Sequence, residues 1–246
     1  MNAKVAIAVL AIGLWVMGLL VSPAAMAVEL DFNLSAPTSG TISYAGGGGA
    51  LIGSNIEVDN VVGLSTPANP NVTALCISCA LNFSTGALAN SGGPGGLNNG
   101  WWSFGPGGNI TITGGVQLQG GTDIPTGSTL LSGTFGSAFV QDLGANFKVT
   151  FGSFSDTKHA DLLSYFGLTP GQFQGALTLL FGSTNPGVDS AFASTSVFSC
   201  NVVNSPVPVG AVPVPAAALL FGSGLLALFG GFRKKMATEV KTLDRI

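Results

Sequence analysis

Basic residues are nearly missing from the middle of this chain. Between Val28 and Val209 only Lys148 and Lys158 are positive, against nine acids: Glu29, Asp31, Glu57, Asp59, Asp123, Asp142, Asp156, Asp161 and Asp189. The stretch carries a net charge of about −7 (2 − 9). That leaves no electrostatic footprint for nucleic acid, and it repels anionic lipid headgroups. Histidine occurs once, as His159, and cysteine three times, as Cys76, Cys79 and Cys200. These are too few to complete a zinc site, which needs a second Cys pair or a histidine cluster. No lysine follows the glycine clusters, so they are not phosphate-binding loops, and no cofactor is expected. The body lacks a Gly-x-Ser-x-Gly elbow, so His159 has no serine partner of the kind a hydrolase triad requires. It reads instead as a solvated helix residue.

Glycine is abundant, at 37 residues, and Ser, Thr and Asn supply most of the polar surface. Recurrent Ile, Val, Leu and Phe separate this composition from a disordered one. The 182 residues from Val28 to Val209 (209 − 28 + 1) are enough for one sizeable core.

The two ends read differently from the body. Lys4 precedes an uncharged apolar run from Val5 to Val21, broken by Ser22 and Pro23, and Ala25-Met26-Ala27 offers small side chains to a narrow protease groove. This is a secretory signal peptide over 1–27, with signal peptidase as the implied partner. Near the other end, Ala216 to Phe232 is an apolar run of 17 residues (232 − 216 + 1). As a helix it spans about 25 Å, close to the thickness of a bilayer's hydrocarbon core. Ala218 and Gly222 form a small face for close helix packing. Arg233, Lys234 and Lys235 follow at once and act as a stop on the cytoplasmic side, which puts 236–246 inside and the body outside. Upstream, Pro206, Pro208, Pro213 and Pro215 make 205–215 an extended linker.

The series Val212-Pro213-Val214-Pro215, then the Gly-containing helix Ala216 to Phe232 with Gly222 and Gly224, then Arg233-Lys234-Lys235, resembles the PEP-CTERM sorting signal. The likeness covers 212–235. It implies export in a Gram-negative bacterium that makes extracellular polysaccharide. It also implies processing near the Pro-x-Pro motif by an exosortase, a membrane-embedded cysteine transpeptidase. Val214 stands where the founding motif has Glu, and eleven residues, Met236 to Ile246, follow the basic stop.

Within 28–204 the pattern predicts an all-β, sandwich-like ectodomain with one short helix. Strands are expected at Val28–Leu34, Thr41–Tyr44, Leu51–Val62 with a bulge at Gly53, Leu75–Phe83, Thr129–Phe135, Ser137–Asp142, Ala145–Phe154, Gln172–Phe181 and Ser194–Val203. Ser91–Gly108 reads as a surface loop anchored by its aromatics. Gly114-Gly115, between Ile110–Thr113 and Val116–Gln119, reads as a type I′ hairpin turn. The helix is expected over Asp156–Phe166, capped by Ser155 or Asp156 and closed by Gly167 and Leu168.

Candidate sites are few. On an unbroken strand Cys79 faces the core with Leu75, Ile77, Leu81 and Phe83, while Cys76 faces out, so Cys76-Ile77-Ser78-Cys79 is neither a redox nor a metal motif. A Cys79–Cys200 disulfide and two buried free thiols both fit this pattern. Trp101 and Trp102 point to opposite faces of a strand, so one of them at most meets a ligand such as a sugar ring, and the other packs in the core. Glu57, Asp59 and Asn60 are either a polar strand face or a calcium site. Two-carboxylate glycan hydrolysis through acids such as Asp123 and Asp142 is a further alternative. The expected function is that of a non-enzymatic cell-surface or extracellular-matrix protein, anchored in the membrane by its C-terminal helix before processing. Carbohydrate binding and glycan hydrolysis are the rivals, and extracellular polysaccharide is the candidate partner.

Overall fold

A computed structural model of the chain describes residues 27–36, 38–93, 100–144, 146–151, 154–183 and 190–207. Among the described residues, twelve strands form one antiparallel sheet: β1 (Glu29–Asn33), β2 (Thr41–Tyr44), β3 (Ala50–Leu64), β4 (Thr73–Gly92), β5 (Trp101–Phe104), β6 (Gly108–Gln117), β7 (Ile124–Phe135), β8 (Ala138–Asp142), β9 (Asn146–Phe151), β10 (Phe154–Lys158), β11 (Phe173–Ser183) and β12 (Phe192–Pro206). One short helix, α1 (Ala160–Tyr165), follows β10.

The hydrogen-bonded ladder closes on itself. The long strands β3, β4, β11 and β12 run the whole height of the wall. Shorter strands share the remaining positions, one near each end. At one end the circuit is β1-β3-β4-β6-β7-β10-β11-β12; at the other it is β2-β3-β4-β5-β8-β9-β11-β12. Each circuit has eight positions, all antiparallel, and closure leaves no open edge for another chain to extend. A ring of this size is just wide enough for side chains to fill, and here they do. Leu30, Phe32, Ile42, Leu81, Ile112, Val140, Leu177 and Val202 all point inward and are fully buried. Outward positions are mostly polar: on β10 and β11, Ser155, Thr157, Gln174 and Thr178 alternate with buried Phe154, Phe173 and Leu177. This is the reverse of a transmembrane barrel, whose apolar side faces lipid. The wall is built to face water.

Most expected strands are present, and the departures have physical causes. The Gly114-Gly115 pair is not a turn. β6 runs straight through it, and the chain reverses after Leu118, where the Gly121 amide donates to the Leu118 carbonyl at 3.1 Å. Gly114 is needed because β4 comes so close: a Cβ there would sit 2.6 Å from the Cys79 Cα. The aromatic part of the expected 91–108 loop is strand β5, paired on both sides to β4 and β8. Ser205 and Pro206 belong to β12 and pair with Gln174 and Phe173, so the first residues of the expected linker are part of the wall.

The helix is shorter than its sequence pattern suggests. Asp156 lies in β10 with its side chain inside the wall, and the N-cap is His159, whose Nδ1 accepts from the Asp161 amide at 3.3 Å. The C-terminal closure is as expected. Gly167 has φ +70°, its amide donates to Ser164, and the Leu168 amide donates to Leu163 at 2.8 Å.

Candidate functional site

One outer face of the wall presents aromatic rings to solvent. On β5, Trp101 and Ser103 point out while Trp102 and Phe104 point in. On β8, Phe139 and Gln141 point out. The register pairs Trp101 with Gln141 and Ser103 with Phe139, so Trp101 and Phe139 are diagonal neighbours. Their rings stack, with centroids 5.9 Å apart and planes 19° apart, and Phe139 is 41% exposed. On the other side, Gly92 of β4 lies opposite Trp101. A Cβ on Gly92 would be 2.8 Å from the indole, so the missing side chain lets the ring lie back against β4. Asn90, Gln141 and Lys148 surround the pair as exposed polar groups. Flat apolar ring faces bordered by amide and ammonium donors can stack on a sugar ring and hydrogen-bond its hydroxyls.

The platform rests on a rigid base. Trp102 is fully buried, so it meets no ligand. Its ring packs against Phe147 at 5.7 Å and Phe192 at 5.4 Å, and Phe147 stacks on Phe181 at 5.4 Å. Tyr44 and Phe104 complete this end of the core edge to face, at 5.5 Å. The Trp102 indole N–H has no acceptor among the described residues.

The remaining candidates are held in structural roles. Asp123 Oδ1 accepts from the Leu118 amide at 2.9 Å and pins the turn after β6. Asp142 is buried and accepts from the Gly144 amide at 2.7 Å. Glu57 accepts from the Ser39 hydroxyl at 3.2 Å, and Asp59 from the Ser35 amide. Among the described residues no three or more His, Cys, Asp or Glu side chains are grouped to hold a metal ion. A groove of about 370 Å³ beside α1 is lined by Leu118, Gly121, Thr122, Asp161, Ser164 and Tyr165. The lone pair of His159 Nδ1 is occupied by the helix cap, so this imidazole does not serve the groove as a base from that nitrogen.

Of the two readings open for Cys79 and Cys200, the structure has the free thiols, both buried. They lie on β4 and β12, with β1 and β3 between them in the wall. Three strand spacings of about 4.8 Å separate their backbones, well beyond the reach of a disulfide. Nor is β4 an unbroken strand at Cys76. Leu75 and Ile77 are 55% and 39% exposed, not core, and a bulge places Cys76 on the inner face with Cys79.

Sequence reasoning also passed over two buried charges, Asp156 and Lys158, whose side chains meet inside the wall. Burial pushes Lys158 down to about 8 against the pull of Asp156. Burial raises the Asp156 carboxyl, opposed by Lys158. Their i, i+2 spacing on a strand that starts with a buried Phe was the available signal.

The expected processing motif (Val212, Pro213, Val214, Pro215), the apolar run with Ala216, Gly222, Gly224 and Phe232, the stop Arg233, Lys234 and Lys235, and Ala25 lie outside the described residues. Ala27 is exposed just ahead of β1. Among the described residues no helix is long and apolar enough to cross a membrane. No family model, curated protein or solved structure matches the chain.

Proposed function

We propose that this is a non-enzymatic exported protein of the cell surface or extracellular matrix. A signal peptide over 1–27 starts export. The C-terminal run 216–232 holds the chain in the membrane until an exosortase-type transpeptidase cuts near Pro213–Pro215. The observation that carries this reading is the order of parts in the sequence, Pro-x-Pro, apolar run and basic stop, behind an acidic body. The closed wall supports it, because a sheet with no open edge and polar outer positions suits a protein displayed in water among other chains.

Intact mass of the mature protein from its native host tests this directly. A chain that begins at Val28 and ends near Pro213 to Pro215 upholds it. A chain that keeps 216–235 overturns the processing and leaves an anchored ectodomain.

A second reading rests on the stacked Trp101 and Phe139. It makes the outer face of β5 and β8 a contact for extracellular polysaccharide, and it accounts for the exposed ring pair that the core does not need.

A further inference from the structure

The bulge in β4 creates a thiol pair. Against β6, Ile77 pairs with Gly115 and Ala80 with Thr113, so β4 uses one residue more than its partner. Against β3, Cys79 pairs with Val58 and Leu75 with Asn60. Ser78 takes the extra turn, in the left-handed region with φ +51°. Inward positions therefore run Ala74, Cys76, then Cys79, Leu81, with Ile77 and Ser78 both exposed between them. An extended strand would have separated the cysteines onto opposite faces. Here Cys76 packs against the core on the same inner face as Cys79, whose own thiol donates to the Gly115 carbonyl at 3.1 Å. Interaction between the two thiols raises Cys76, with burial adding to the rise, and lowers Cys79. Cys79 is 4% exposed, whereas Cys76 is only half-buried.

We propose that Cys76 and Cys79 form a redox site that exchanges with an external disulfide, R–S–S–R, and closes into an intrastrand Cys76–Cys79 disulfide. Access makes Cys76 the attacking thiol. Cys76 Sγ bonds to one sulfur of R–S–S–R and expels RS⁻, which takes up the Cys76 proton as RSH. Cys79 Sγ then attacks Cys76 Sγ in the mixed disulfide, expels the second RS⁻ and releases its proton to it as RSH. Two electrons leave the protein dithiol and reduce the external disulfide. Cys200, buried on β12, takes no part.

The test uses the purified full chain with a small disulfide such as hydroxyethyl disulfide, followed by intact mass and peptide mapping. The expected product is about 2 Da lighter than the reduced chain, carries no adduct and links Cys76 to Cys79. Cys200→Ser gives the same product. Cys79→Ser stops at a stable adduct on Cys76, and folded Cys76→Ser remains unmodified on Cys79. Peptide mapping of the unmutated protein decides the matter even where a variant fails to fold. A lasting adduct on Cys76 with Cys79 still reduced, no reaction at either thiol, or a bond to Cys200 overturns the proposal.

Discussion

The ammonium of Lys158 closes against the carboxylate of Asp156, two residues back on the same strand, with both side chains wholly buried. The same ammonium lies 4.6 Å from the centre of the Phe173 ring, and Asp156 Oδ2 has no partner among the described residues. An ion pair so enclosed loses more on leaving water than its own attraction returns, unless hydrogen bonds satisfy every atom. This one leaves an oxygen unsatisfied.

Removing one member should therefore hurt more than removing both. Lys158→Met is expected to destabilise the fold by about 3–5 kcal/mol, because it strands a buried carboxylate. The double variant Asp156→Leu with Lys158→Met should be neutral or more stable by up to about 1–4 kcal/mol. Urea unfolding of the three proteins measures this. A double variant as damaged as the single one would show that the pair holds the wall together.

Asp31 gives a pH dependence. Burial, with Glu29 adding repulsion, pushes its carboxyl up to about 6 from 3.8, and its Oδ1 has no partner among the described residues. A carboxyl raised in the folded state binds a proton more tightly there than in the unfolded chain. Its contribution is present below pH 3.8 and is lost as pH rises toward about 6. Asp31→Asn should therefore stabilise the protein above pH 7 and change little near pH 4. Melting temperatures at the two pH values check this, and an equal effect at both would refute it.

The two tryptophans should separate binding from stability. Trp102→Ala removes a fully buried indole and is expected to cost about 3–5 kcal/mol. Trp101→Ala should cost clearly less and abolish retention on extracellular polysaccharide, and Phe139→Ser should weaken that retention. Pull-down with a circular-dichroism check of folding provides the readout. Unchanged retention in Trp101→Ala would remove the carbohydrate reading.

Glycines of similar appearance should respond differently. Gly120 has φ +74° with open space around it, whereas a side chain on Gly114 would collide with the Cys79 backbone. Gly120→Ala should cost about 1–2 kcal/mol from its backbone conformation. Gly114→Ala adds a steric conflict of about 1–3 kcal/mol and should be the worse of the two. Denaturation midpoints rank them.

Local alternation made much of this protein legible in its sequence. Leu30 and Phe32, Ile110 and Ile112, and Leu177 and Leu179 each repeat at period two, which fixes both strand and inner face without any partner. The closure of α1 by Gly167 and Leu168 was equally local, since it depends only on a left-handed residue after a helical turn. The opposite facings of Trp101 and Trp102 followed from the same period. Other features depended on residues far away in the chain. Gly114-Gly115 has the composition of a hairpin turn, yet it is strand, because β4 crowds Gly114 and β7 crowds Gly115, leaving room for nothing larger. The pairing of Cys76 with Cys79 required a bulge, which appears only where β4 meets β6, one residue short, and β3, two residues short. Closure of the sheet was likewise invisible, because which strands pair is set by contacts across the whole wall rather than by any strand's own pattern. Period-two alternation settles which residues face inward along most strands, because it needs no partner. Where that phase slips depends on the strands packed on either side, and the slip is what brings two thiols together.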